Sequence, residues 1–435
     1  MERGTSMMNR FSVFVDEKLG EKYYYLKHKS GLDVFVFPKK MQLKTALLGV
    51  KFGSVYEEGS FVDGEIKQYP SGIAHFLEHK LFSSEDGVDA VAALASFGAD
   101  ANAYTSNNKT VYMFTCTENF DKSLKGLIDF VYSPYFTEEN VESEKGIIAQ
   151  EIKMCLDSPY DTVSRNLLVA MYGESKLSDD VLGTEETIAK ITYKALYDCY
   201  DSFYRYSNMA LVVSGDVDEN EVLSIVDASI VGDKEKNTPV LPSVVDTKCV
   251  SSPCIEMIMG VSSPIFEIGI KDDKPSSSAY ERLRRDVAMT VLDEILFSRA
   301  GELYNELFEG GYINESYTYG YSINRDTAFH SISAEGDDPE YVLDRVKKYV
   351  KKMQENGIKE SDFVRCKRVM MAEFVRDFDS VFDIANSLLN FTFEGSDIFE
   401  YRKIIEDVTF SEVCELLLDS FDEERFALSV VKNQD

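Results

Sequence analysis

The sequence predicts an α+β fold built from two homologous domains, each an antiparallel-rich sheet packed with helices. Three observations carry this reading. Short β-rich runs stand in blocks, with amphipathic helices grouped between them. A polar, proline-bearing stretch breaks the pattern near the middle. Segments of the first half return, in the same order, in the second.

Strand-like runs rich in Val, Phe and Leu occupy residues 32–37 and 45–52. A helix is expected over 71–82 and another over 88–97, stopping at Gly98. Two further strands, 100–105 and 110–115, flank the turn-forming Ser106-Asn107-Asn108. Phe120, Leu124, Leu127, Ile128 and Val131 recur at helical spacing. A long helix is expected from 138 to about 155, with Thr137 as its N-cap and Glu138 and Glu139 in its first turn. Helical segments continue to about Tyr204, and an apolar strand over 209–214 ends at Gly215-Asp216.

Residues 232–254 hold three prolines and no sustained period, which marks a linker between domains at 1–231 and 255–435. Residues 144–158 lie over 366–380 at a constant offset of 222, matching Glu151 with Glu373. LGVKF (48–52) lies over IGIKD (268–272), HFLEHKLF (75–82) over TVLDEILF (290–297), and MALVV (209–213) over FALSV (426–430). In the copy, Thr290 and Glu294 stand where the first half has histidines. Only the first domain is equipped for metal.

A chain of 435 residues exceeds one ordinary core, and 44% hydrophobic with 28% charged residues is a globular balance. The net charge of −30 argues against nucleic acid and anionic membranes as partners, because phosphate binding needs clustered Lys and Arg. No apolar run is long enough to span a bilayer, and residues 1–15 lack the pattern of a secretion signal. Seven scattered cysteines without a C-x-x-C favour free thiols and a cytoplasmic setting.

The chemistry concentrates in His75-Phe76-Leu77-Glu78-His79. On a helix, residues i, i+3 and i+4 emerge on one face, so two imidazoles can clasp one zinc ion while Glu78 deprotonates zinc-bound water. A catalytic zinc takes three protein ligands and keeps one position open. Glu151, on the long helix amid Ile147, Ile148, Ala149 and Ile152, is the third candidate. Glu144, seven residues earlier on the same face, is grouped with Glu78 in the catalytic set as the carboxylate that orients a histidine ring. The expected cofactor is one Zn2+ per chain, held by His75, His79 and Glu151.

H-F-L-E-H followed after about seventy residues by two glutamates seven apart resembles the pitrilysin, insulysin and mitochondrial processing peptidase family, in its bacterial short-chain branch. Gly53-Ser54 with Glu57 in the first strand, Gly98-Ala99 with Asn102-Ala103-Tyr104-Thr105, and Asn208-Met209 leading into Gly215-Asp216-Val217 look like the same family. The resemblance implies one half of a clamshell peptidase, two such halves enclosing a chamber that admits unfolded peptides. It implies a zinc metalloendopeptidase, with peptide added as a strand beside Asn102, Ala103 and Tyr104. Active members place an Arg–Tyr pair in the half without metal. Here Phe308 stands where the arginine should be, no nearby arginine replaces it, and Tyr312, Tyr317 or Tyr319 is left to supply the tyrosine. A dimer is therefore expected, favoured as a heterodimer with a related non-metal subunit that supplies the pair, a homodimer being the alternative. The rival function is a non-catalytic assembly or peptide-binding subunit that keeps the fold.

Overall fold

The computed structural model describes residues 11–85, 87–230, 237–244, 247–272 and 276–434. The first half opens with strands β1 (Ser12–Asp16), β2 (Glu21–Lys27), β3 (Asp33–Pro38) and β4 (Lys44–Val50), then a small hairpin of β5 (Glu58–Val62) and β6 (Glu65–Gln68). Helices α1 (Ile73–Leu81) and α2 (Ala90–Ala95) lead to a second hairpin, β7 (Asp100–Thr105) and β8 (Thr110–Cys116). Helices α3 (Phe120–Val131), α4 (Glu138–Asp157), α5 (Pro159–Tyr172), α6 (Glu185–Ile188) and α7 (Tyr193–Phe203) precede β9 (Met209–Gly215) and α8 (Glu219–Ser229). The second half runs β10 (Cys254–Ile258), β11 (Ile265–Lys271), α9 (Ala279–Phe297), α10 (Glu302–Glu309), β12 (Thr318–Ile323) and β13 (Ala328–Glu335). It closes with α11 (Pro339–Asn356), α12 (Glu360–Asp377), α13 (Val381–Glu394), α14 (Ile398–Asp407), α15 (Phe410–Asp419) and β14 (Phe426–Lys432).

Two large sheets result, ordered β1-β2-β3-β9-β4-β8-β7 and β10-β14-β11-β13-β12. Laid over one another, β3-β9-β4-β8-β7 and β10-β14-β11-β13-β12 agree in order and direction. Each has one parallel pair, β3 with β9 and β10 with β14, and antiparallel neighbours elsewhere. The weak repeat in the sequence is thus a repeat of topology, with β1 and β2 added to the first copy. The sequence reading missed β1, β2, β5 and β6: β1 and β6 are largely exposed, while β2 buries only Tyr23 and Leu26 and β5 only Ser60 and Val62.

The chain forms two compact units, and they are not contiguous in sequence. The first joins residues up to Ala149 with Asp180–Pro242 and Val375–Phe393; the second joins Gln150–Asp179, Ser243–Phe374 and the segment from Glu394. The division at Ala149 falls inside α4, which runs on unbroken. The first unit therefore contains most of α13, and the second contains α5. A central-strand glycine in each sheet makes room for its borrowed helix. A Cβ on Gly49 of β4 would meet Leu389 at 2.9 Å and Phe393 at 3.0 Å, and one on Gly269 of β11 would meet Met171 at 2.6 Å. In the first unit, Phe378 also packs on Phe37 with ring centroids 5.8 Å apart, and Lys109 donates to Asn390.

The stretch expected as a linker is pinned where it is described; 232–236 and 245–246 lie outside the described residues. Val240 bridges to Phe61 in the first unit, while Ser251 and Ser252 donate to the carbonyls of Met171 and Ala170 in the second. Glu57 sits in no strand, contrary to the sequence reading. It follows a single 3-10 turn, Ser54–Tyr56, and is 1% exposed.

That turn positions α1. The Glu57 carboxylate accepts from the backbone N–H of Gly72 at 3.1 Å and of Ala74 at 3.0 Å, so a buried anion caps the helix at its positive end. Ile73, Ala74, Phe76 and Leu77 are fully buried and hold α1 in the core. Gly72 is left-handed, at φ 91°, and a Cβ there would lie 2.5 Å from the Leu182 carbonyl oxygen. Gly72→Ala is accordingly expected to destabilise the protein by about 1–3 kcal/mol, read as a lower melting temperature in a thermal scan.

Candidate metal centre

Helix α1 presents His75, Glu78 and His79 on one face, as a 3.6-residue period requires. Helix α4 meets that face. Its start is fixed by reciprocal bonds, Asn140 N–H to the Thr137 hydroxyl and Thr137 N–H to the Asn140 side chain. Val141, Ile148 and Ile152, on the flank beside Glu144 and Glu151, are buried and seat the helix. Of the apolar residues beside Glu151, Ile147 is 55% exposed, so the apolar surroundings expected there exist on one side only.

One donor atom each from His75, His79 and Glu151 lie within 4.8 Å of one another. Among the described residues this is the only such His, Cys, Asp and Glu grouping. The two imidazole rings stand 4.6 Å apart between centroids, inclined at 62°. Glu144, seven residues and about 10.5 Å of helix from Glu151, places its Oε1 at 3.1 Å from His79 Nδ1. With Nδ1–H donating to that carboxylate, Nε2 carries the lone pair a metal needs.

Burial pushes the His75 pKa down to about 4, helped by the neighbouring His79, so its ring is neutral near pH 7. At Glu144, burial works to raise the carboxyl. The bond from His79 and the nearby Lys80 ammonium outweigh it and hold the group below its ordinary range. Two imidazoles and a carboxylate within this spacing suit zinc, which bonds such donors at about 2.0–2.2 Å and leaves a fourth position open.

Three contributors were given no role by the sequence reading, although Glu57 and Thr105 stand among the residues that carry the resemblance. Thr105, the last residue of β7, donates its hydroxyl to Glu78 Oε2 at 2.5 Å. Lys80 is 3% exposed and reaches Glu144 Oε2 at 3.1 Å and the Ser83 hydroxyl at 3.0 Å. Glu57 acts through the cap already described. The one available signal was a lysine inside the otherwise apolar run that follows His79.

Thr105 is set in place by a close approach. Ser54 and Val55 donate to the carbonyls of Ser106 and Asn107, and a Cβ on Gly53 would lie 2.2 Å from the Ser106 oxygen. Strand β7 ends the sheet, so one of its edges lies open to a further strand among the described residues. Side chains alternate across it. Thr105 faces α1, whereas Tyr104 turns to the opposite face and donates to Asn386 at 3.2 Å. The Asn102 side chain accepts from the Ala103 N–H at 2.8 Å. Asn102 and Tyr104 thus each have a side-chain bond within the fold, and with Ala103 they lie along the strand that ends the sheet.

In the second unit, α9 carries Thr290, Asp293 and Glu294 at the positions of His75, Glu78 and His79. Asp293 pairs with His330 at 2.6 Å, and Glu294 accepts from the Tyr319 hydroxyl. Phe308 stacks on Tyr304 at 5.4 Å and is 41% exposed. Tyr317 is buried, its hydroxyl donating to the Phe297 carbonyl, and Tyr312 stacks on Tyr341. Arg299 lies beside this segment and donates to the carbonyls of Glu315 and Tyr317.

Comparison with known proteins agrees with this geometry. Residues 39–185 match the profile of Insulinase (Peptidase family M16), and residues 190–370 that of the Peptidase M16 inactive domain. The chain is 33% identical to the uncharacterized zinc protease YmfH of Bacillus subtilis (strain 168), covering 95% of this chain and 97% of that one. It superposes on an M16-like chain from Alicyclobacillus acidocaldarius with a TM-score of 0.89 at 27% identity, over 99% of this chain and 100% of that one. Pitrilysin shares the fold, with a TM-score of 0.75 at 15% identity over 98% of this chain and 46% of its own. No helix among the described residues is long and apolar enough to cross a membrane, and the seven cysteines are free thiols. The two matched profiles together span most of the chain, and with a relative 33% identical over nearly its whole length they show that the chain belongs to peptidase family M16.

Proposed function

We propose that this protein is a zinc metalloendopeptidase acting on unfolded peptides, and that it works as the metal-bearing half of a two-chain enzyme. The observation that carries the first part is the convergence of His75, His79 and Glu151 within 4.8 Å, with Glu78 on the same helix face. Those three residues would hold one zinc ion. When bound, it supplies a Lewis acid that polarises a peptide carbonyl and makes water more acidic.

The remaining work falls to the chain itself. Glu78 takes a proton from the attacking water and hands it to the departing amine. Thr105 keeps the Glu78 carboxylate from swinging, by the bond to Oε2. Glu144 holds the His79 ring. The open edge of β7 takes the peptide as an added strand, where main-chain bonds give affinity with little sequence preference.

The second part rests on Phe308. An arginine offers a planar fork of donors to a substrate carbonyl, and a phenylalanine offers none. Arg299 is engaged with backbone carbonyls, and Tyr317 with the Phe297 carbonyl. A related partner with an Arg–Tyr pair and no metal motif would supply the missing grip. We read 1–231 and 255–435 as the two copies of one domain, joined by 232–254 and having exchanged α5 and α13 between their compact units. A cytoplasmic location accords with the free thiols.

Purified protein is expected to carry about one zinc per chain, measured by elemental analysis, and to lose peptide cleavage to chelators. Glu78→Gln should keep the metal and abolish turnover; full activity in that variant would sink the assigned mechanism. Glu151→Gln should lose most zinc, and normal metal content would place the third ligand elsewhere. Thr105→Val should leave zinc content intact and lower kcat by about 10-fold, on the order of one charge-assisted hydrogen bond; an unchanged kcat would free Glu78 from that hydroxyl. Cleavage should rise sharply when a sister chain is co-expressed, whereas robust cleavage by the chain alone, unchanged by any partner, would rule out the heterodimer.

A further inference from the structure

Lys80 follows directly on the histidine pair, yet its side chain is 3% exposed and lies among core residues of α1. Burying an ammonium is costly unless it is paired and hydrogen-bonded. Here its partners are few and specific: Glu144 Oε2 at 3.1 Å and the Ser83 hydroxyl at 3.0 Å. Glu144 places its other oxygen, Oε1, at 3.1 Å from His79 Nδ1. One carboxylate therefore bridges an imidazole N–H and a buried cation, each on its own oxygen.

The consequence for His79 is geometric and electrostatic together. A carboxylate tied at one oxygen can rotate about its terminal bond, and the ring it orients turns with it. Tied at both, it has one orientation, and its acceptor faces the imidazole. The formal charges also close. Glu78, Glu144 and Glu151 with Lys80 sum to −2, equal and opposite to a divalent ion, where the carboxylates alone would give −3.

We propose that Lys80 is a positioning residue for the metal, acting through Glu144 to fix the His79 ring in the orientation and tautomer that leave Nε2 for zinc. This rests on the peptidase reading above and extends it to a residue that touches neither metal nor substrate. A purely structural ion pair between α1 and α4 would cost fold stability when broken and leave zinc affinity to the ligands alone.

The test uses the full chain, stripped of metal and titrated with zinc against a chelating dye, alongside thermal melts of the apo proteins. Wild type is expected to bind one zinc. Lys80→Met and Lys80→Gln should bind on the order of 10-fold more weakly, and Lys80→Arg, which keeps the cation, should recover most of that loss. The double variant Lys80→Met with Glu144→Gln should bind no more weakly than Glu144→Gln alone, because both act along one path. If the double variant loses the product of the two single effects, or if both neutral variants match wild type in zinc affinity and only melt lower, Lys80 is structural and the proposal falls while the peptidase reading stands. If wild type takes up no zinc, both fall together.

Discussion

The buried carboxylate of Glu57 takes the first backbone N–H groups of α1, and the placement of the candidate site follows from that cap. An isolated helix of nine residues has little stability in water, since its nucleation is costly and its ends are unsatisfied. Here the helix is held at one end by an anion, at Gly72 by a backbone only glycine accommodates, and along its length by fully buried apolar side chains. With the helix so fixed, His75, Glu78 and His79 have little freedom in where they point. The groups they meet, Glu144 and Thr105, sit on α4 and β7, and each of those is pinned by backbone bonds of its own.

The duplicated sheets show how one architecture carries two roles. In both units a central strand bears a glycine, and a helix supplied by the other half of the sequence packs against it. That arrangement excludes any side chain larger than hydrogen at Gly49 and Gly269 without repacking. The two copies part company on the helix after the central strand. In the second, one Asp293 oxygen pairs with His330 and Glu294 accepts from Tyr319, the two partners standing on neighbouring strands of its own sheet. Acidic groups that answer internal donors in this way are locked into the fold. In the first copy, Glu144 has His79 and Lys80 to answer, and that leaves the ring nitrogen across from it directed at Glu151 and His75.

Electrostatics at the site are a balance between burial and pairing. Burial alone would raise Glu144, and it does lower His75. The two effects act in one direction on function: a neutral His75 and an ionised Glu144 are both the forms that favour metal ligation. At Glu144 the cation that offsets burial is the buried Lys80.

The sequence alone determined the fold class, the repeat, the metal-ligand candidates and the long helix carrying Glu144 and Glu151. These rest on short-range periodicity, which a helix or a strand converts directly into a shared face. Strands β1, β2, β5 and β6 were illegible because none of them alternates apolar and polar residues over its length. The exchange of α5 and α13 was illegible because nothing in an amphipathic helix names the sheet it will cover. The roles of Thr105 and Lys80 were illegible for the same reason. Their partners lie 27 and 64 residues away, and no local pattern couples a hydroxyl at a strand end to a carboxylate on a distant helix. The candidate residues were legible in the spacing of His75, Glu78 and His79; what holds those side chains in place was decided only when α1, α4 and β7 came together, because a hydrogen bond is specified by position in space and the sequence specifies position only along the chain.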